Sequence, residues 1–272
     1  MKNQTIKNLN HYSLRREDLA AADDLMKIDS LVHKRGAEVL DGSTTGVTVY
    51  PLQNQLISLR TGTTDAVVFY ETFSGLYHLP PYFPDRVETI LDLGANIGLT
   101  AAHYCVMFPQ AQLIGVEADS KCSLLAIENT QPWKERCRII NAAVWKDNGT
   151  VMFGVKAGHE YAGSVGGQGE QVAVNSITIN ALIDQLGVKC VDFVKMDIEG
   201  AETSLIKEAN DWAPRVNSLL VELHGYSTKE CISQLRQLGF HAWRHKGHWA
   251  SVFAIKPEYR TDLKKYFWPF WK

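Results

Sequence analysis

Two segments of this sequence set chemically useful residues where a strand should give way to a helix. In the first, Asp92-Leu93-Gly94-Ala95-Asn96-Ile97-Gly98, Gly94 permits a tight turn. Small Ala95 and Gly98 let a ligand or the sheet come close, and the following helix start offers N–H groups. Such a loop suits a nucleotide-like ligand. Its Gly-x-x-x-Gly spacing departs from the dinucleotide fingerprint, in which three glycines bring a pyrophosphate onto a helix N-terminus. Glu117, followed by Ala118, ends the next predicted strand. In a doubly wound sheet its carboxylate lies beside the first loop and accepts from both hydroxyls of a ribose. NAD and S-adenosylmethionine both carry that ribose, so the pair does not choose between them; alternatively, the acid only caps the next helix, a task that Asp119 or Ser120 already serves. Ala142 and Ala143, at the end of the third predicted strand, leave room for a flat adenine, although alanine in a strand is also ordinary core.

The second segment is Val194-Lys195-Met196-Asp197-Ile198-Glu199-Gly200-Ala201-Glu202. Three carboxylates meet at a strand end and helix start, where open sheets bind ligands and a helix dipole favours negative charge. The plain alternative is helix capping by Asp197 or Glu199, with Glu202 exposed.

Both segments need a parallel sheet to position them. From Val87 onward strand and helix patterns alternate: strands at 89–93, 112–117, 138–144, 191–196 and 218–223, and helices over 99–108, 120–130, 180–186 and 199–209. This predicts right-handed crossovers. Residues 150–153 and 171–174 interrupt the alternation as strands, and the Gly-rich stretch 157–169 between them reads as an active-site loop or a long surface loop. At the end, 241–244 and 249–255 predict an antiparallel pair joined through Lys246-Gly247. Upstream, 9–40 predicts one or two helices, 47–60 a hairpin around Gln53-Asn54-Gln55, and 62–84 a short helix and a connecting loop. The expected organisation is an N-terminal helical and hairpin extension (1–86), an α/β Rossmann-like domain (87–256) and an aromatic tail (257–272).

With both motifs in order, the chain closely resembles the FkbM family of methyltransferases, whose signatures are such a glycine loop and such a Lys-x-Asp-Ile-Glu-Gly-Ala-Glu stretch. The likeness runs over roughly residues 56–255: Arg60-Thr61-Gly62-Thr63-Thr64-Asp65 and Tyr77 match upstream, and Val221-Glu222-Leu223-His224 downstream. The resemblance implies a class I methyltransferase fold, a mostly parallel seven-stranded sheet with a C-terminal antiparallel pair. It also implies S-adenosyl-L-methionine as donor and, usually, O-methylation of a sugar or other small hydroxylated metabolite, with nitrogen acceptors also known in the family. Asp65, Asp92, Gly94, Ala95, Asn96, Gly98, Glu117, Ala118, Ala142, Ala143 and Asp197 are then the expected cofactor-binding residues.

An alcohol acceptor must lose a proton. His224, at the end of the fifth predicted strand and close to Glu222 in sequence, is the foremost general-base candidate, with Asp197 and Glu199 as rivals. Asp197, Glu199, Glu222 and His224 could alternatively gather a hard divalent ion such as magnesium, a reading held second because one carboxylate is expected to serve the cofactor or the helix end. The rivals to methyl transfer are an NAD-linked oxidoreductase and a binding protein that has kept the fold without turnover.

Composition narrows the partners. Lys plus Arg is 28 against 30 for Asp plus Glu, a net charge of −2, which gives no general pull toward nucleic acid. The five cysteines are scattered, without close pairs that would grip zinc, and read as reduced thiols. The first residues are polar rather than an apolar leader, and no apolar run approaches a membrane span, so the cytoplasm is the expected location. The densely aromatic tail, Tyr266-Phe267-Trp268-Pro269-Phe270-Trp271, is expected to pack on the domain or, like the N-terminal extension, in a homo-oligomer.

Overall fold

The computed structural model describes residues 44–60, 63–83, 86–155, 164–167, 170–246, 248–262 and 264–265. The helices expected within 9–40, most of the Gly-rich stretch 157–169 and the aromatic run 266–271 lie outside them. Strands β1 (Thr44–Val49) and β2 (Gln55–Arg60) form the expected antiparallel hairpin. Its turn residues Gln53 and Asn54 both take positive φ, which asparagine tolerates better than most side chains. Helix α1 (Asp65–Tyr70) continues into a π-helical turn, Glu71–Gly75. The short β3 (Tyr82–Phe83) follows within the segment expected to be a connecting loop.

The hairpin and α1 share one apolar cluster with the domain behind them. Val49, Leu52, Ile57, Leu59, Phe69 and Phe73 pack with Ile97, Leu99 and Leu125. Burial of that many large side chains, each worth about 1.5–3 kcal/mol, fixes this lead-in segment against the domain. Asn129 adds a polar tie, its side chain donating to the carbonyls of Ser58 and Ile97.

The domain itself runs β4 (Thr89–Leu93), α2 (Leu99–Met107), β5 (Gln112–Glu117), α3 (Ser120–Thr130) and β6 (Cys137–Asn141). Asp119 caps α3 by accepting from the Cys122 N–H at 2.8 Å. The single strand expected over 138–144 is divided. The chain leaves the main sheet after Asn141, and β7 (Ala143–Val144) pairs with a second sheet. That sheet also contains β8 (Gly149–Val155), β9 (Ser164–Val165) and β10 (Glu170–Ile177), in the order β7-β10-β8-β9.

The chain returns through α4 (Ile179–Gln185), β11 (Phe193–Met196), α5 (Glu202–Lys207), β12 (Ser218–Glu222), α6 (Thr228–Gln237), β13 (His241–Arg244) and β14 (Ser251–Ile255). The main sheet has the order β13-β14-β12-β11-β4-β5-β6. β14 is antiparallel to both its neighbours, and the other pairings are parallel. This is the α/β fold expected of a class I methyltransferase. β4 and β11 are buried throughout, as strands covered on both faces must be. Strand order reverses between them, and their carboxyl ends open the crevice in which such sheets bind ligands. The backbone of β15 (Lys264–Lys265) pairs antiparallel with β3.

Candidate active site

One cleft runs along the carboxyl ends of β4, β5, β11 and β12. Gly94, Asn96, Glu117, Ala118, Ala142 and Ala143 line one half. Asp197, Glu199, Glu222, Tyr77 and His248 line the other.

The first half is built on crossed backbone contacts. Gly94 has φ +80, and a Cβ there would lie 1.7 Å from the Asp197 carbonyl oxygen. Glycine is therefore demanded by the neighbouring strand end, not by a ligand alone. The N–H groups of Gly94 and Ala95 both donate to the Val116 carbonyl, and that of Asn96 donates to Glu117 Oε2 at 2.8 Å. Glu117 Oε1 accepts from the Asp119 N–H at 2.8 Å. Each carboxylate oxygen keeps a second lone pair for a ligand hydroxyl. Burial pushes the Glu117 carboxyl up to about 7, against the pull of the two N–H groups. Ala142 and Ala143 lie where the chain passes between the two sheets, with Phe153 and Val165 of the second sheet on the same wall.

The second half is an ionic cluster. The Lys195 amine, 3% exposed, donates to the Gly94 carbonyl at 2.8 Å and lies 3.2 Å from Asp197 and 3.5 Å from Asp92. Burial alone would discharge it, but Asp197, Tyr77 and Asp92 hold its pKa well above the usual lysine value. Glu202 is fully buried and accepts from the N–H groups of Ile198 and Gly200 at 2.9 and 2.8 Å. It thereby closes the turn before α5, in which Glu199 has φ +53 and Gly200 φ +106. The helix expected from Glu199 begins only at Glu202 for this reason, and Glu202, expected to be exposed, is the residue that secures the turn.

Glu202 also fixes His224, whose Nδ1 lies 3.0 Å from Glu202 Oε1. The opposite nitrogen, Nε2, faces Glu199 at 3.4 Å, Glu222 at 3.8 Å and Asp197 at 3.9 Å. Burial lowers the pKa of His224, but the bond to Glu202 and the charges of Glu199 and Asp197 outweigh it and raise the value to about 9. Glu199 is pushed up to about 7 by burial, with His224 opposing and Asp197 adding to the shift. Burial and the charge of Asp197 raise Glu222 to about 8. Among the described residues, Asp197, Glu199 and His224 form a group able to hold a metal ion, with one ligand atom of each within 4.8 Å of the others.

The fold thus brings Gly94, Asn96, Glu117, Ala118, Ala142, Ala143, Asp197, Glu199 and Glu222 around one crevice, with His224 contacting Glu199 and Glu222 without itself lining it. Four expected cofactor residues sit elsewhere. Asp65 is buried against Arg60, which donates to it from the backbone N–H, Nε and Nη2 at 2.8, 3.0 and 2.7 Å. Asp92 is sealed beneath the loop, accepting from the Thr100 hydroxyl at 2.5 Å. Ala95 is buried, and Gly98 abuts Ala126, whose Cα lies 2.9 Å from where a Cβ would be. In the sequence Lys195 and Glu202 stand out only as parts of a motif, although a lysine between Val194 and Met196 in an apolar strand requires a buried partner. Tyr77 is marked there only by the family likeness. His248 carries no local signal, because only tertiary structure brings its turn to the cleft.

The sequence profile of the methyltransferase FkbM domain matches residues 92–242. Among curated proteins, 2-O-methyltransferase NoeI of Sinorhizobium fredii (strain NBRC 101917 / NGR234) is 25% identical over 165 residues, 54% of this chain. The match spans 65% of that relative, just under two thirds of its length. Among solved structures, the METTL16 MTase domain has a TM-score of 0.43 at 11% identity, covering 72% of this chain and 69% of the other. The pyocyanin biosynthetic protein PhzM also has a TM-score of 0.43 at 11% identity, over 70% and 56% of the two chains. Among the described residues, no helix is long and apolar enough to cross a membrane.

Proposed function

The chain belongs to the FkbM family of S-adenosylmethionine-dependent methyltransferases, and from that premise we propose that it methylates a hydroxyl group of a small metabolite, such as a sugar. The observation that carries this reading is the continuity of the cleft from Glu117 and the two alanines to the carboxylate–histidine cluster. A crevice at the carboxyl ends of the strands is where open α/β sheets take their ligands.

The chain's own residues fit the cofactor. Glu117 retains lone pairs for ribose hydroxyls, and Ala142 and Ala143 leave a flat recess for adenine. The Gly94, Ala95 and Asn96 N–H groups are already engaged by Val116 and Glu117, so the loop offers no ready nest for a pyrophosphate, which argues against NAD. When bound, S-adenosylmethionine supplies an electrophilic methyl group on a sulfonium.

The acceptor proton goes to Glu199 in this reading. A carboxyl raised to about 7 is matched to neutral pH as a general base, whereas a histidine raised to about 9 already carries its proton. His224 therefore serves as the fixed cation beside Glu199, Asp197 and Glu222. Thermal shift and calorimetric titration with S-adenosylhomocysteine and NAD test the cofactor: stabilisation by S-adenosylhomocysteine is expected, and stabilisation by NAD alone overturns the assignment. Turnover unchanged by a chelator is expected; activity abolished by the chelator and restored by magnesium transfers hydroxyl activation to a metal.

A further inference from the structure

Glu222 stands between two histidines at equal spacing. Its Oε1 lies 3.8 Å from His224 Nε2 and 3.8 Å from His248 Nε2. Both separations are too long for a direct hydrogen bond, yet each can be bridged by one oxygen at about 2.7–3.0 Å from both atoms. We propose that the cleft selects an acceptor carrying two adjacent hydroxyl groups, the reacting one on the His224 and Glu199 side and its neighbour held between Glu222 and His248. The proposal rests on the methyltransferase reading and names the feature of the acceptor that this site recognises.

The setting of His248 supports this role. It lines the cleft, and its Nδ1 lies 3.1 Å from the Ser251 hydroxyl. Ser251 is paired in register with Glu222 across β14 and β12, so the histidine is anchored to the strand that carries its acidic partner. In the tautomer in which the Ser251 hydroxyl donates to Nδ1, Nε2 carries the proton and is free to donate to an oxygen in the gap. The edge of the Tyr77 ring limits movement on the other side, with ring centres 6.4 Å apart. Burial and the nearby His224 lower the His248 pKa against the opposing charges of Asp197 and Glu71, which keeps it a neutral donor. A hydroxyl in this gap donates to Glu222 and accepts from His248. The reacting hydroxyl accepts from His224 Nε2 and donates its one proton to Glu199, whose Oε2 lies 3.4 Å from that nitrogen. Because Glu222 Oε1 lies 3.8 Å from both His224 Nε2 and His248 Nε2, the two hydroxyl positions border the same carboxylate oxygen, a spacing that hydroxyls on neighbouring carbons can meet.

The test is calorimetric titration of the S-adenosylhomocysteine-loaded protein with catechol against phenol, and with cis-1,2-cyclohexanediol against cyclohexanol. In each pair the diol is expected to bind about tenfold more tightly, the equivalent of roughly one net hydrogen bond. His248→Ala is expected to reduce the preference to about twofold or less, and His248→Gln, which keeps an N–H donor, to restore part of it. Both variants should bind S-adenosylhomocysteine as the wild type does, which shows that the fold is retained. Equal binding of diol and mono-ol, no diol binding, or a preference unchanged in His248→Ala overturns the proposal. Failure of the wild type to bind S-adenosylhomocysteine overturns the methyltransferase reading instead.

Discussion

The two motifs beside the crevice divide their labour differently. In the glycine loop, Asp92, Ala95 and Gly98 are buried in the fabric of the domain, and Gly94 and Asn96 reach the cleft largely through backbone. In the second motif, Lys195 and Glu202 are buried and Asp197 and Glu199 are open. One motif shapes a surface; the other mounts reactive side chains on a concealed ionic frame. A signature residue is therefore not necessarily a ligand contact, and the buried members act by placing their neighbours.

The largest effect should come from the point where the motifs touch. Gly94→Ala puts a methyl group where the Asp197 carbonyl already sits, so loss of both cofactor binding and the cooperative thermal transition is expected. A variant that melts normally and binds S-adenosylmethionine by calorimetry would show that the two strand ends move independently.

Next in size is the chemical step. Glu199→Gln should lower kcat by roughly 10²–10⁴ with cofactor affinity nearly unchanged, because an amide cannot take the acceptor proton. Wild-type turnover should rise with pH through about 7 as Glu199 ionises and fall through about 9 as His224 loses its proton. These limbs belong to the cluster as a coupled set. A rising limb that persists in the glutamine variant would move the base to another group.

A smaller effect is expected on the other side of the cleft. Glu117→Ala removes the acceptor for ribose hydroxyls and should weaken S-adenosylmethionine by about 10–100-fold, the range of one charge-assisted hydrogen bond or slightly more. Unchanged affinity by titration would leave Glu117 with only its backbone bonds to Asn96 and Asp119. The smallest change in cofactor affinity belongs to Asp65→Asn. It breaks the charge pairing of a buried carboxylate with Arg60 and should lower the melting temperature, but neither residue lines the cleft, so cofactor affinity should change by no more than about twofold, a few tenths of a kcal/mol. A large loss of affinity in the same titration would show that the Arg60–Asp65 pair transmits to the cleft.

Much of this arrangement is legible in the sequence because strand periodicity and the two motifs are local. The sheet order around β4 and β11 follows from alternating strands and helices, and Glu117 falls beside the glycine loop as the topology requires. Other features depend on contacts between distant residues. The break after Asn141 reflects pairing of Ala143 and Val144 with Ser176 and Ile177 of β10, far along the chain. The displaced start of α5 reflects Glu202 reaching back to Ile198 and Gly200. Helix α6 lies outside the expected elements although it has a local signal, Ser227 capping the Glu230 N–H ahead of buried Cys231 and Leu235, the spacing of a capping box.

The wall formed by Thr64, Val67, Val68, Glu71 and Tyr77 lies upstream of the matched profile, which begins at residue 92. It is joined to the domain by apolar packing, whereas the opposite wall is locked by glycine contacts and buried charge. Apolar packing tolerates exchange of side chains when volume is kept, but a backbone contact with no room for a methyl group does not. The cleft is thus asymmetric in its freedom to change: side chains on the α1 wall can be exchanged at constant volume, whereas the opposite strand ends have no room for an added methyl group at Gly94.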